Sequence, residues 1–183
     1  MLFRSKGRAY IDQRGRYVPR PYDYTYDNYI SLQDIHAMLQ SILFPESFPE
    51  PERFYVTRQD YALLYRYLSS LPAESDVPAY RNAKLYPDNY KKYFLFGDAK
   101  DGVITDRSIR IFNVVGQSDG YLSDCAYIQN TSLGIEFFLS AVIYVNEDEI
   151  MKDGKYEYQT VGLPFLAELG RIIYAYEQTR GHE

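Results

Sequence analysis

The sequence predicts an α+β fold, and three observations carry that prediction. Two stretches in the first half place apolar residues at spacings of three and four behind helix-capping residues, Ser31 and Thr57. From Ile109 the texture changes to β-branched runs separated by turn clusters, the signature of an antiparallel meander. A third amphipathic stretch, from about Gly162 to Tyr176, closes the chain. The expected architecture is a three-stranded antiparallel meander packed with a C-terminal helix and preceded by two amphipathic helices. The parts divide as residues 1–30, a basic ribbon and a Tyr-rich connector; 31–108, a helical part; and 109–183, the sheet and closing helix, all within one domain of 183 residues.

The first twenty residues hold six Lys or Arg against the single acid Asp12. Ala9-Tyr10-Ile11 and Arg16-Tyr17-Val18 flank Asp12-Gln13-Arg14-Gly15, which reads as a short hairpin with Gly15 where a turn requires positive φ. The basic cluster is read as a solvated arm. Behind it, Tyr22, Tyr24 and Tyr26 alternate with small polar residues and share one side of an extended segment. They are expected to pin that segment with their rings.

In the first helix, Leu32, Ile35, Leu39, Ile42 and Leu43 form the apolar stripe behind Ser31, with Asp34 as the acidic member of a capping-box-like start. Thr57 and Asp60 repeat the device ahead of Tyr61, Leu64, Tyr65 and Leu68. Residues 73–108 show no sustained period and are expected to be irregular, with one short helix near Asp88 to Phe96. In the meander, Ile109 to Val115 ends at the turn cluster Gly116 to Gly120, and Tyr121 to Gln129 leads to a turn at Asn130 to Gly134. Ile135 to Val145 is nearly continuous in apolar residues, the pattern of a central strand buried on both faces. Glu147 to Tyr158 reads as a solvated acidic loop that lacks the ligand spacing of a calcium-binding loop.

Composition excludes several function classes. A formal charge of −5 argues against a duplex-binding protein, so no nucleic acid is expected as partner. No apolar run is long enough to span a bilayer, and the N-terminus lacks the apolar core of a secretory signal, so the chain carries no visible address. One cysteine, Cys125, and two histidines, His36 and His182, leave no disulfide and no metal framework. No cofactor motif and no nucleophile motif occurs, and Cys125 and His36 are read as a buried thiol and a helix-surface side chain.

The segment from Arg110-Ile111-Phe112-Asn113-Val114-Val115-Gly116 through Ser123-Asp124-Cys125-Ala126 resembles the third-motif strand and following strand of class A β-lactamases and related penicillin-recognising serine hydrolases. Phe137 to Asn146 is similar to the next strand, Gly162 to Tyr176 to the closing helix, and Ser31 to Leu43 with Thr57 to Leu71 to the two helices ahead of the third motif. The resemblance covers about residues 20–178 but only the C-terminal half of that family's domain. It implies a partial β-lactamase/transpeptidase-like fold and a parent exported to the periplasm.

The family's nucleophile pair, SxxK, and its SxN motif have no counterpart here. Tyr26-Asp27-Asn28 has the YxN shape of some second motifs but follows no SxxK, and is read as chance. At the third motif, Val114 stands where the Lys is expected and Val115 where the hydroxyl is expected, while Gly116 alone keeps its type. The implied function is the C-terminal portion of a β-lactamase-like serine hydrolase, inactive alone, with Val114, Val115 and Gly116 as a substrate-edge strand. The rival reading is a stand-alone, non-catalytic peptide- or glycan-binding module using the sheet edge. In the resembled fold, Ile135 to Val145 pairs with a strand from the other half of the domain. The expected partners are therefore that missing half or a second chain covering this strand, unless the N-terminal ribbon folds back over it.

Overall fold

A computed structural model describes residues 4–180, so His182 lies outside the described residues. Strands β1 (Ser5–Lys6), β2 (Ala9–Ile11), β3 (Tyr17–Val18) and β4 (Tyr22–Asp23) form the N-terminal ribbon. Helices α1 (Leu32–Leu43) and α2 (Arg58–Ser69) follow. The meander is β5 (Ile109–Ser118), β6 (Tyr121–Asn130) and β7 (Ile135–Tyr144), and the chain ends with β8 (Ile150–Met151) and α3 (Leu163–Thr179). The architecture is α+β, with the antiparallel sheet in the order β5-β6-β7.

Alternation along the strands builds two cores. One face carries Ile111, Leu122, Ala126, Ile128 and Ile135 against Leu166 and Tyr174 of α3 and the segment Tyr93–Leu95. The other carries Phe112, Cys125, Tyr127 and Phe138 against Leu39 and Leu43 of α1, with Leu68 of α2 beside them. The sheet thus lies between α3 on one side and α1 and α2 on the other, and each apolar face excludes water.

The central strand is β6, which corrects the expectation for Ile135 to Val145. Leu122, Asp124, Ala126 and Ile128 of β6 are fully buried, whereas β7 is an edge strand bonded to β6 alone among the described residues. Its continuous apolar pattern arises because Phe137 and Leu139 face the α3 core while Phe138 faces the α1 core. An edge strand covered on both faces has the same pattern as a central strand, since composition reports faces and not lateral neighbours.

The first hairpin is tighter than the turn cluster suggested. Strand β5 continues through Gly116 to Ser118, which pairs with Tyr121. Only Asp119 and Gly120 turn, at φ 50° and 84°, the left-handed pair that matches strand twist in a two-residue hairpin.

Local capping works as the sequence indicates. Asp34 N donates to Ser31 Oγ at 3.0 Å, while the Asp34 carboxylate takes the Ser31 hydroxyl rather than a main-chain amide. Thr57 and Asp60 form the full reciprocal box, with Asp60 N donating to Thr57 Oγ1 at 3.2 Å and Thr57 N to Asp60 Oδ2 at 2.9 Å.

Residues 88–96 form successive turns and no helix. Lys91 and Leu95 have φ of 61° and 68°, and the amides of Tyr93 and Phe94 donate to Asp124 Oδ2 at 3.2 Å instead of to carbonyls of their own segment. A buried acceptor on β6 has taken the bonds that a helix needs.

The ribbon folds back, though not onto the edge of β7. The β2–β3 hairpin turns near Gly15, at φ 74°, and β2 pairs in parallel with β8, beyond the end of β7. Arg8 reinforces that docking by donating to the Asp148 carbonyl at 2.9 Å. Tyr22 packs edge-on against Tyr10 and Tyr24, whereas Tyr26 is 96% exposed and pins nothing.

Candidate functional site

A cleft of about 710 Å³ opens at the hairpin end of the sheet, on the face that α1 covers. Its floor follows from register. Gly116 pairs with Ser123, and Ser123 with Val142, so these three form one row across the sheet on a single face. They are the smallest such row at that end, since the next carries Ser118, Tyr121 and Tyr144. A Cβ at position 116 would lie 2.7 Å from Ser123 Oγ, so glycine keeps the floor low.

The walls come from distant segments. Leu32 and Ile35 of α1 stand on one side, and the connector from Tyr24 to Ile30 and the ribbon residues Arg4 and Lys6 close over the other. Lys152, from the end of β8, and Asp119, from the hairpin, meet at the rim as an ion pair.

Charge in the cleft is unevenly satisfied. Burial pulls the Lys152 ammonium down, but the hydrogen bond and charge of Asp119 outweigh it, so Lys152 titrates above the ordinary lysine value. Its ammonium also lies 4.8 Å from the Tyr22 ring centre. Burial, reinforced by Asp119, pushes the Tyr24 hydroxyl well up, and it donates to Asp119 Oδ2 at 3.3 Å as a neutral phenol. Lys6 has no carboxylate partner among the described residues; its Nζ sits 4.0 Å from the Tyr144 ring centre. Asp27 Oδ2 is buried and makes no hydrogen bond of ordinary geometry among the described residues, while its carboxylate acts on the Tyr22 phenol and helps to push that hydroxyl up.

The structure separates the three residues read as a degraded third motif. Gly116 lies on the floor. Val114 belongs to the neighbouring row with Cys125 and Ser140, is 43% exposed, and does not line the cleft. Val115 faces the opposite side and packs against the α3 core. Strand alternation prevents the three from forming one wall. Asp27 and Asn28, from the segment read as a chance match, do line the cleft, while Tyr26 points into solvent.

His36 and Cys125 are joined by a residue that sequence reading passed over. His36 Nδ1 and Ser140 Oγ lie 2.6 Å apart, and the Ser140 hydroxyl contacts Cys125 Sγ at 3.0 Å. Cys125 is buried and burial pushes its thiol up, so it is held as a neutral thiol rather than a nucleophile. The three lie outside the cleft lining, which contains neither histidine nor cysteine.

Arg4, Lys6 and Lys152 are the functional candidates that the sequence did not single out. The basic excess of the first twenty residues was the only signal for Arg4 and Lys6, nothing local tells a solvated arm from a cleft wall, and Lys152 lay in the segment read as an acidic loop. The arrangement offers charge, stacking surfaces and hydrogen bonds around a low floor, the equipment of a binding site. No family model matches the chain, and neither a curated protein nor a solved structure matches it.

Proposed function

We propose that the chain is a non-catalytic binding module whose ligand occupies the cleft above Gly116, Ser123 and Val142. The observation that carries this reading is the cleft itself, about 710 Å³ in volume and lined by cations, carboxylates, tyrosines and the Ser118 and Ser123 hydroxyls, neither of which is hydrogen-bonded to a lysine or carboxylate among the described residues. The experiment is calorimetric titration of the full chain with cell-wall peptides and with oligosaccharides. Saturable binding that Gly116→Val abolishes supports the module. Ligands that bind both proteins equally place the site elsewhere and overturn it.

A second reading, the remnant of a β-lactamase-like serine hydrolase, is favoured by one observation. Gly116 of the third-motif-like strand and the Asp27-Asn28 pair of the YxN-like segment line the same cleft. Incubation with a reporter cephalosporin and a fluorescent penicillin tests whether the isolated chain is inactive, as this reading requires. Turnover or a covalent adduct would sink both readings.

A further inference from the structure

The outer edge of β7 is open, and its register relates it to the cleft. Val145 N donates to Gly120 O at 2.7 Å, which sets the alternation along the β6–β7 ladder. Odd-numbered residues of β7 bond to β6, and Phe138, Ser140 and Val142 turn their N–H and C=O groups outward. The same logic on β5 turns the Ile111 carbonyl outward, where Lys92 Nζ caps it at 2.8 Å. No described residue caps the outward groups of Phe138, Ser140 or Val142.

Val142 is both an edge residue and part of the cleft floor. Side chains of directly paired residues in a sheet share a face, so a strand added to β7 sends the side chain opposite Val142 towards the row of Val142, Ser123 and Gly116. Arg4, Lys6, Lys152, Asp27 and Asp119 are the charged groups that line that space. Lys152 pairs with Asp119 and feels Asp27 as well, and Arg4 acts on Asp23, so Lys6 is the lining cation left with no carboxylate partner among the described residues.

We infer that the cleft and the β7 edge together form one site for an extended peptide, which adds as a strand to Phe138–Val142 and directs an acidic side chain towards Lys6. This rests on the binding-module reading and names its ligand class. Main-chain bonds to the edge give affinity, and the charged cleft selects one residue of the peptide.

The test uses the full chain and arrays of blocked pentapeptides, with Val, Ile, Thr and Tyr flanking a central Glu, Gln or Lys, read by fluorescence anisotropy. Central Glu is expected to bind about tenfold more tightly than central Gln. N-methylation of the peptide's bonding amides abolishes binding without altering the protein. Lys6→Glu shifts the preference towards central Lys, and Lys6→Gln erases it; thermal melts show that both variants fold.

Equal binding of Glu and Gln peptides, or undiminished binding of N-methylated ones, overturns the inference. Oligosaccharides that bind the cleft while no peptide does overturn it and leave the module reading standing. A penicillin adduct with no reversible ligand overturns both. A concentration-dependent dimer that excludes peptide assigns the edge to a second copy and also overturns it.

Discussion

Lys92 and Asp124 are buried in one polar network without touching, because Asn113 stands between them. Asn113 Oδ1 accepts from Lys92 Nζ at 2.7 Å, and Asn113 Nδ2 donates to Asp124 Oδ1 at 2.9 Å. Lys92 also donates to the carbonyls of Leu68 and Ile111, both at 2.8 Å, and so ties α2 to β5. Asp124 accepts the amides of Tyr93 and Phe94, and so fixes the irregular segment against β6. Removing any member of such a network leaves its buried partners unpaired.

The network makes stability depend on pH in two opposed limbs. Burial pushes the Asp124 carboxyl up to about 7, against the donors that favour its ionised form. Burial likewise pulls Lys92 down to about 8. The Asp124 contribution is fully present below the unfolded carboxyl value and is lost as pH rises through about 7. The Lys92 contribution is present above the unfolded lysine value and is lost as pH falls through about 8. Together they are weakest between these values. Urea midpoints of the wild type and Lys92→Met should diverge as pH rises above about 8, because only the wild type gains from losing that proton. At neutral pH the variant is expected to lose about 3–5 kcal/mol, since two carbonyls and Asn113 Oδ1 lose their donor. A gap that does not change with pH would remove Lys92 as the titrating group.

Gly170 on α3 separates helix propensity from packing. Propensity alone makes Gly→Ala in a helix stabilising by about 1 kcal/mol. Here an added Cβ would lie 2.7 Å from Leu95 N and 3.0 Å from Phe94 Cβ, with main-chain atoms among its neighbours. Gly170→Ala is therefore expected to destabilise by about 1–3 kcal/mol, read as a lower urea midpoint. A stabilised variant would mean that α3 can lift from the Phe94–Leu95 segment at no cost.

Gly116 is expected to separate binding from folding. Its neighbour at 2.7 Å is the end of the Ser123 side chain, which can rotate, so Gly116→Ala should cost about 1 kcal/mol or less. Gly116→Val fills the floor and should abolish ligand binding while the near-ultraviolet circular dichroism stays native. Loss of native signal in both variants would make Gly116 a folding position only.

Cys125 should be chemically silent in the folded chain. It is 2% exposed and burial pushes its thiol up. Its reaction with an aromatic disulfide reagent is expected to follow the unfolded fraction through a urea titration, and Ser140→Ala should leave the native protein equally slow. Rapid labelling of the native protein would show an open path to the thiol.

Much of the fold was legible in the sequence because its determinants are local. Ser31 and Thr57 sit beside the amides they cap, and Gly15 and Gly120 take left-handed backbone where their turns require it. The lateral position of β7 was not legible. Phe137 and Phe138 record that both faces are covered, and no residue of the strand records whether a neighbour lies beside it.

The sequence by itself determined the two capped helices, the antiparallel meander and the closing helix, since spacing and turn chemistry act within a few residues. Only the tertiary structure decided the site. Arg4 and Lys6, Asp27, the Gly116–Ser123–Val142 row and Lys152 lie far apart along the chain. They meet because β2 pairs with β8 and because strand register aligns the row. Such contacts are set by the burial of two apolar faces across the whole chain, and no local pattern encodes which loops that burial brings together.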